Sequence, residues 1–323
     1  MQPKEEKNLR IVFMGTPAFA VPSLEAVLSA GYTMAAVITA PDRPAGRGHQ
    51  LRASPVKEAA LRHGIPLLQP ERLKDPGFLA DLQALQADVQ VVVAFRMLPR
   101  VVWQMPRIGT FNLHASLLPQ YRGAAPINWA IINGETETGL TTFFLEQKID
   151  TGDLLLQEKH PIYSDDNAGT LHDRLSEAGA KLVVRTLDAI AQGTYQAIPQ
   201  PLVAEDYKPA PKIFTETCQI DWNQPTIDIH NFVRGLAPYP AARMAIPSPN
   251  CKVFLTEVLP LSVHPSGDAL LPGTPVSDNK TFLYIRTRDG FLAIHTLQPA
   301  GKKRMSIAEF LRGNAAARSF GSL

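Results

Sequence analysis

The chain has 323 residues, 45% of them hydrophobic, which predicts two domains with a sizeable buried core. The charged N-terminus lacks the regions of a signal peptide, and no apolar run approaches the roughly 18 residues of a membrane span, so we expect a cytoplasmic protein. The formal net charge is only +2, and the two cysteines, Cys218 and Cys251, are too few for a disulfide framework and suggest no metal site.

The first half of the chain alternates strand and helix patterns. Residues 9–14 predict a buried strand that ends at Gly15-Thr-Pro17, and residues 21–30 repeat apolar side chains at helical spacing. Further strands are predicted at 34–39, 89–94, 109–113 and 141–145, and further helical segments at 54–63 and 78–85. This alternation predicts a doubly wound, Rossmann-like α/β sheet, whose ligands bind beyond the carboxyl ends of the strands.

The regular pattern fails between residues 192 and 210, where glycine and proline are frequent. We therefore predict a first domain of residues 1–192, a linker of 193–210 and a second domain of 211–323. In the second domain one helix at 226–234 precedes β-rich runs at 253–261, 282–288 and 291–296, which predict a small antiparallel barrel.

The C-terminal part of the chain is its basic part. From Tyr207 onward there are 13 Lys and Arg against 8 Asp and Glu, whereas the residues before it contain 19 against 22. This mild bias is compatible with a polyanionic partner such as RNA, and equally with a solvated basic surface.

Asn112 and His114 are the strongest candidates for catalysis. Side chains two residues apart on a strand point to the same face, so the carboxamide and the imidazole lie side by side at the end of the strand predicted at 109–113. A polar, Pro- and Gly-rich loop follows, at the sheet edge where sites of this fold occur. The pair can stabilise an oxyanion and move a proton.

Asp150 opens an Asp-Thr-Gly-Asp turn after the strand predicted at 141–145. Such a turn is weak evidence by itself, because Asp and Gly are favoured turn residues. If Asp150 lies beside the strand that ends at His114, its carboxylate holds the imidazole in one tautomer and favours the cationic form.

Five stretches resemble, in order and spacing, the methionyl-tRNA formyltransferase family, and the resemblance covers nearly the whole chain. They are Gly15-Thr-Pro17, Pro41-Asp-Arg-Pro-Ala-Gly-Arg-Gly48, Asn112-x-His114, Ser116-Leu-Leu-Pro-x-Tyr-Arg-Gly-Ala-Ala-Pro126 and Asp150-Thr-Gly-Asp153. All 10-formyltetrahydrofolate transferases share the Asn-x-His, Ser-Leu-Leu-Pro and Asp-Thr-Gly-Asp motifs, which indicate the reaction class but not the acceptor. The second stretch resembles the loop that this family uses against the tRNA acceptor stem.

The resemblance implies a formyltransferase-type sheet domain followed by an oligonucleotide-binding (OB-like) barrel. It also implies transfer of the formyl group of 10-formyltetrahydrofolate to the amino group of initiator methionyl-tRNA, by a monomer with no metal and no obligate protein partner. Asn112, His114 and Asp150 are then catalytic. The implied folate-binding residues are Ser116, Leu117, Leu118, Pro119, Phe95, Met97 and Leu98. The implied tRNA-binding residues are Arg43, Arg47, Arg52, Lys302, Lys303 and Arg304.

One segment departs from the family pattern. Relatives usually carry a Tyr-Gly segment that lines the pterin pocket after the corresponding Val-Val-Ala strand. This chain has Phe95-Arg-Met-Leu-Pro99, which lacks the glycine and is one residue shorter.

Two alternatives stay open from the sequence. The first is a formyltransferase for a small amine, either a sugar nucleotide or glycinamide ribonucleotide. The additional domain argues against glycinamide ribonucleotide, because a small acceptor does not need it. The other is a catalytically silent RNA-binding relative, which loss of Asn112, His114 or Asp150 would favour, and all three are present.

Overall fold

The computed structural model of the protein describes residues 7–45, 50–201, 207–245, 251–264 and 267–313. It contains two compact units, each drawn from more than one stretch of the chain. The first comprises Met1–Gly123, Thr138–His160 and His172–Pro209, and the second comprises Ala124–Glu137, Pro161–Leu171 and Ala210–Leu323. The predicted domain bounds of 1–192, 193–210 and 211–323 stay predictions.

Nine strands occur among the described residues up to residue 161. They are β1 (Lys7–Gly15), β2 (Tyr32–Ile38), β3 (Arg43–Ala45), β4 (Gln50–Arg52), β5 (Leu67–Leu68), β6 (Val89–Val93), β7 (Gly109–His114), β8 (Glu137–Phe144) and β9 (Leu154–Pro161). Seven of them form one sheet in the order β5-β2-β1-β6-β7-β8-β9. The pairs from β5 to β7 are parallel and β7 pairs antiparallel with β8, so the predicted Rossmann-like α/β class is confirmed.

Eight helices accompany the strands of the described residues. They are α1 (Val21–Ser29), α2 (Pro55–Arg62), α3 (Pro76–Ala84), α4 (Arg100–Trp103), α5 (Pro126–Ile132), α6 (Ala168–Gln192), α7 (Thr226–Leu236) and α8 (Ile307–Gly313). The predicted start signal of α2 is present, since Ser54 Oγ accepts a hydrogen bond from the Lys57 amide at 3.0 Å. None of the helices in the described ranges combines the length and the apolar character that a bilayer crossing needs.

A buried core holds the central strands in place. All five side chains of β6 are buried, as expected for a parallel strand covered on both faces. Val12 and Met14 of β1 and Val92 of β6 pack with Leu82 of α3 and Val102 of α4 in one cluster. The carboxyl ends of β6 and β7 therefore project from a rigid support.

The second unit contains an antiparallel sheet, as predicted. Its strands are β10 (Ala242–Met244), β11 (Cys251–Pro260), β12 (Pro275–Ser277), β13 (Leu283–Arg286), β14 (Gly290–Gln298) and β15 (Met305–Ser306). They are ordered β10-β11-β14-β13-β12, and β15 also pairs with β14. Ile229 and Val233 of α7 and Phe310 of α8 belong to the core cluster of this unit, together with Val253 and Ile294 of the sheet.

The described part of the Pro41–Gly48 insertion includes a strand, although its composition suggests an irregular surface loop. β3 and β4 pair antiparallel, and Arg43 lies directly opposite Arg52. The start of the hairpin is anchored by Asp42, which accepts hydrogen bonds from Lys57 Nζ at 2.6 Å and from Gln69 Nε2 at 3.0 Å. Both contacts lower the pKa of the Asp42 carboxyl, that of Lys57 more strongly.

Candidate active site

The three side chains predicted to be catalytic, which we call the catalytic trio, lie at the carboxyl edge of the first sheet. Asn112 and His114 lie on β7 and point to the same face, because they are two residues apart. Asp150 lies in the turn between β8 and β9, and its Oδ2 is 3.8 Å from His114 Nδ1. The structure thus brings together residues that are separated by more than thirty positions in the chain.

The hydrogen bonds of His114 define its tautomer. The side chain is buried, and Nε2 lies 2.8 Å from the backbone oxygen of Tyr121. A carbonyl oxygen only accepts, so Nε2 carries the hydrogen and Nδ1 of the neutral ring has a lone pair. The sequence predicted that Asp150 orients the ring. In the structure the Tyr121 carbonyl orients the ring, and Asp150 faces the nitrogen that can take up a proton.

The backbone holds Asp150 in an uncommon conformation. Its φ of 54° lies in the left-handed region, which costs free energy for a residue other than glycine and recurs at functional sites. Its Oδ2 accepts a hydrogen bond from the Gly123 amide at 2.9 Å. Gly152 is required in the same turn, since a Cβ there would lie 1.7 Å from the Phe144 backbone oxygen.

Gln200 fixes this turn from the segment predicted to be a linker. Its Nε2 donates to the backbone oxygens of Asp150 at 2.9 Å and of Gly152 at 2.8 Å. Its Oε1 accepts from Arg122 Nη2 at 2.5 Å and from Arg122 Nε at 3.2 Å. Both the nitrogen and the oxygen of the Gln200 amide are therefore hydrogen-bonded to residues in the loops of the site. Gln200 was not predicted, because a single glutamine between prolines offers no local signal.

The same segment also supports His114. The Tyr121 amide donates to the Lys208 backbone oxygen at 2.7 Å, and the Lys208 amide donates to Gln120 Oε1 at 2.8 Å. These bonds hold the backbone at Tyr121, the residue whose carbonyl orients His114. Gln200 and Lys208, both in the segment predicted to be a linker, therefore help to build the site in the first unit.

Asn112 differs from its neighbours because its side-chain amide makes no hydrogen bond to any described residue. The residue is half-buried, and its backbone lies directly opposite Val92 of β6 and Phe143 of β8. A half-buried amide without a protein partner is available as a donor to a bound molecule.

The predicted folate segment 116–119 is held by its own hydrogen bonds. Ser116 Oγ donates to the Gln120 oxygen at 2.7 Å, and Thr141 Oγ1 donates to the Ser116 oxygen at 2.6 Å. Leu118 is buried, and its backbone oxygen accepts from Gln157 Nε2 at 2.8 Å. Leu117 and Pro119 are half-buried. The Ser116 hydroxyl thus shapes the loop from within.

The second predicted folate segment follows β6, directly beside the end of β7. Ala94 makes the turn with a φ of 48°. Leu98 is buried in the core cluster of the first unit and Phe95 packs against that cluster, whereas the Met97 side chain is 72% exposed. Met97 and Leu98 line an open cleft of about 590 Å³.

The predicted RNA contacts lie in two places. Arg43 and Arg52 are exposed on opposite strands of the β3-β4 hairpin, and Arg47 lies outside the described residues. Lys302 and Lys303 are exposed in the turn after β14. The Arg304 guanidinium stacks on the Phe254 ring at 4.3 Å from its centroid, a cation–π contact. Within the described ranges no group of three or more His, Cys, Asp or Glu side chains could hold a metal ion.

Comparison with known proteins gives the family. The family model "Formyl transferase" matches residues 9–187, and "Formyl transferase, C-terminal domain" matches residues 212–315. The chain is 53% identical over 311 residues to a methionyl-tRNA formyltransferase of Bacteroides fragilis, covering 96% of both chains. It is 55% identical over 311 residues to that of Azobacteroides pseudotrichonymphae, covering 95% of this chain and 96% of the relative. The chain belongs to the methionyl-tRNA formyltransferase family. It is therefore an enzyme of the formyltransferase class.

Solved structures agree in fold. An N-formyltransferase of Helicobacter canadensis, in complex with folinic acid and dTDP-3-aminofucose, superposes with a TM-score of 0.65 at 19% identity, covering 92% of this chain and 100% of that one. HypX of Aquifex aeolicus, in complex with tetrahydrofolic acid, gives a TM-score of 0.64 at 17% identity, covering 98% of this chain and 48% of that one. At these identities the likeness extends to the fold alone.

Proposed function

We propose that the protein transfers the formyl group of 10-formyltetrahydrofolate to the amino group of initiator methionyl-tRNA. The products are N-formylmethionyl-tRNA, which serves translation initiation, and tetrahydrofolate. The observation that carries the chemistry is the pairing of His114 Nδ1 with Asp150 Oδ2 at 3.8 Å, next to the uncommitted amide of Asn112. The acceptor is supported by the relatives with about half of their residues identical over nearly the full chain.

The residues at the strand ends fit a folate co-substrate. Asn112 supplies a donor that no described residue uses, and the segments after β6 and β7 flank it with apolar side chains. When bound, 10-formyltetrahydrofolate supplies the formyl carbon on N10, which the methionyl amine attacks. Asn112 Nδ2 then donates a hydrogen bond to the formyl oxygen as that oxygen gains negative charge.

His114 and Asp150 move the proton. The lone pair on His114 Nδ1 accepts the proton that the attacking amine must lose, because Nε2 is committed to the Tyr121 carbonyl. The Asp150 carboxylate stabilises the imidazolium so formed, and the same nitrogen returns the proton to the departing amine. An oxyanion donor typically contributes about 10²–10³ in rate and a general acid/base about 10²–10⁴, so the trio can supply most of the chemical step.

The β3-β4 hairpin is our proposed contact with the acceptor RNA in the first unit. Like charges directly opposite each other in a ladder are destabilising, and Arg43 and Arg52 stand in that arrangement. A phosphate between two guanidinium groups removes the repulsion and provides bidentate hydrogen bonds. In the second unit we propose that Lys302 and Lys303 contact RNA phosphate, while Arg304 is partly committed to Phe254.

Neither the small-amine acceptors nor a catalytically silent RNA-binding role is favoured. The curated relatives are named for methionyl-tRNA, and their similarity extends through the C-terminal domain. A silent RNA-binding role would leave the His114–Asp150 pair and the free Asn112 amide without a purpose. The cytoplasmic location and the monomeric state stay predictions.

The proposal is tested by incubating the full chain with 10-formyltetrahydrofolate and one of three acceptors: methionyl-tRNA, a dTDP-amino sugar or glycinamide ribonucleotide. Formylated product is expected with methionyl-tRNA alone. The His114→Ala variant serves as the control for uncatalysed transfer. Product from either small acceptor at a comparable kcat/KM would contradict the assignment of the acceptor, and no product from any acceptor would contradict the activity.

A further inference from the structure

Strand β8 carries a buried hydroxyl group against the predicted folate segment 116–119. The hydroxyl belongs to Thr141, which lies directly opposite His114 in the pairing of β7 with β8. Side chains directly opposite each other in an antiparallel pair lie on the same face of the sheet. Thr141 is fully buried, yet its hydroxyl makes no hydrogen bond to His114 or to any other member of the catalytic trio. Its role therefore lies in the neighbouring segment.

The Thr141 hydroxyl uses its whole hydrogen-bonding capacity on this segment and on Gln157 of β9. It donates to the Ser116 backbone oxygen at 2.6 Å and accepts from the Leu118 amide at 3.2 Å. Its second lone pair accepts from Gln157 Nε2 at 3.1 Å. A hydroxyl has one donor and two acceptor lone pairs, so no capacity is left for another partner. One side chain thus binds the backbone on both sides of Leu117.

Gln157 adds a second connection to the same segment. Its Nε2 donates its other hydrogen to the Leu118 backbone oxygen at 2.8 Å, so Leu118 is bound through both its amide and its carbonyl. Gln157 is exposed, whereas Thr141 and Leu118 are buried. We call Thr141 and Gln157 the β8-β9 clamp. Its bonds from Thr141 are shielded from water, and those from Gln157 are more accessible.

The backbone of β8 allows the segment to lie directly against the strand. Gly139 is two residues before Thr141 and therefore faces the same side of the sheet. A Cβ at Gly139 would clash with the Leu117 side chain and would lie 2.5 Å from the Glu158 backbone oxygen. Glycine at this position leaves the room that Leu117 occupies. Packing at Leu117 and hydrogen bonds at the residues on either side of it therefore fix the segment together.

The clamp is separate from the groups that hold His114 and Asp150 in place. Those groups are the Tyr121 carbonyl, the Gly123 amide and the Gln200 side chain. In the part of the chain that the structure describes, the clamp makes no hydrogen bond to any of them. Loss of the clamp can therefore disturb the segment 116–119 while the catalytic side chains keep their own supports.

We propose that Thr141 and Gln157 are positioning residues for the folate co-substrate, because they hold the segment 116–119 in the conformation that binds it. This inference rests on the proposed function, which places the folate against that segment. Without the Thr141 hydroxyl the buried Leu118 amide has no acceptor, and the segment has to rearrange to find one. Folate then binds more weakly, whereas the chemical step, which depends on the catalytic trio, proceeds at nearly the same rate.

The test combines steady-state formylation of methionyl-tRNA with calorimetric titration of tetrahydrofolate, both on the full chain. Thr141→Val keeps the shape of the side chain and removes only its hydroxyl. The KM for 10-formyltetrahydrofolate and the Kd for tetrahydrofolate should rise about tenfold, as for the loss of a buried hydrogen bond, while kcat stays within about threefold of the parent. Thr141→Ser keeps the hydroxyl and should restore both constants to within about threefold. Gln157→Met should raise them less, because water can replace the bonds of an exposed side chain.

Thr142→Val is the matched control. Thr142 is the next residue of β8 and is equally buried, but its side chain points to the opposite face of the sheet. Its hydroxyl bonds to Thr186 Oγ1 at 2.8 Å and does not contact the segment 116–119. The same substitution at this position should leave the KM and the Kd unchanged.

The outcomes separate the clamp from the proposed function. An unchanged KM and Kd in Thr141→Val would overturn the clamp, and so would an equal rise in Thr142→Val, since general loosening of β8 would then be the cause. A lower kcat without a higher KM would also overturn it, because Thr141 would then support the chemistry. If Thr141→Val does not fold, an unchanged KM and Kd in Gln157→Met overturns the clamp. A parent protein that neither binds tetrahydrofolate nor formylates methionyl-tRNA would instead overturn the proposed function.

Discussion

Replacing Gln200 tests whether the segment 193–210 positions the catalytic residues. Methionine fills the space of the glutamine but cannot form its hydrogen bonds. Gln200→Met therefore releases the Asp150 and Gly152 carbonyls, which now accept at 2.9 and 2.8 Å. Each lost bond is worth about 1 kcal/mol in a partly buried setting, so the turn that carries Asp150 loses about 2 kcal/mol of support.

If the turn needs these hydrogen bonds to hold Asp150 in place, their loss lowers the turnover number. About 2 kcal/mol corresponds to roughly a 30-fold decrease in kcat, since each 1.36 kcal/mol is a factor of ten. We expect the KM for 10-formyltetrahydrofolate to stay nearly unchanged, as measured in steady-state formylation of methionyl-tRNA. Gln147→Met is the matched control, because Gln147 is exposed and lines the same cleft as Arg122 and Gln200.

A double-mutant cycle with Asp150→Asn shows whether the effect of Gln200 on turnover passes through the Asp150 carboxylate. If Gln200 acts through the Asp150 carboxylate, Gln200→Met causes little further loss in the Asp150→Asn background. A full and independent loss of about 30-fold in that background would refute the reasoning. So would an equal decrease in the Gln147→Met control.

Three further measurements test the catalytic trio, the β3-β4 hairpin and the half-buried His230. Alanine at any position of the catalytic trio should lower turnover by about 10² or more while calorimetric folate binding persists, and near-normal turnover with two positions replaced would exclude the trio. Replacing Arg43 and Arg52 with alanine should reduce the slope of log activity on methionyl-tRNA against log salt, measured between about 50 and 200 mM, and an unchanged slope would exclude the hairpin as an RNA contact. Burial, followed by the charge of Arg234, lowers the pKa of His230 in the folded protein, so its neutral form contributes stability that is lost as pH falls from the unfolded value of about 6.5 through the folded value. The urea midpoint should therefore fall less between about pH 7.5 and 5.5 in His230→Gln than in the parent, and equal decreases would contradict this.

The fold class could be predicted because its signals are local. Strands β1, β6 and β7 are short apolar runs bounded by turn residues, and the start of α2 has its serine cap. The long helix α6 was not predicted, although it spans 25 residues. Its mixture of charged and small side chains obscures the apolar stripe, which becomes clear only when one face is known to be buried.

The placement of Asn112 and His114 on one face of the sheet could also be predicted from a local signal, since side chains two residues apart on a strand point the same way. The insertion at 41–48 was only partly accessible. Its arginines favoured a contact for phosphate, but the facing positions of Arg43 on β3 and Arg52 on β4 depend on a register that composition does not specify.

The reaction class and the family could thus be predicted from contiguous motifs, because their chemistry requires particular residue types at short spacing. The tertiary structure alone showed that the Tyr121 carbonyl sets the tautomer of His114 and that Gln200 holds the turn of Asp150. Gln200 and Asp150 are 50 residues apart, and Lys208 and Gln120 are 88 apart. Hydrogen bonds between such distant positions leave no periodic or compositional trace in the chain, because they depend on where the folded backbone brings single polar groups together.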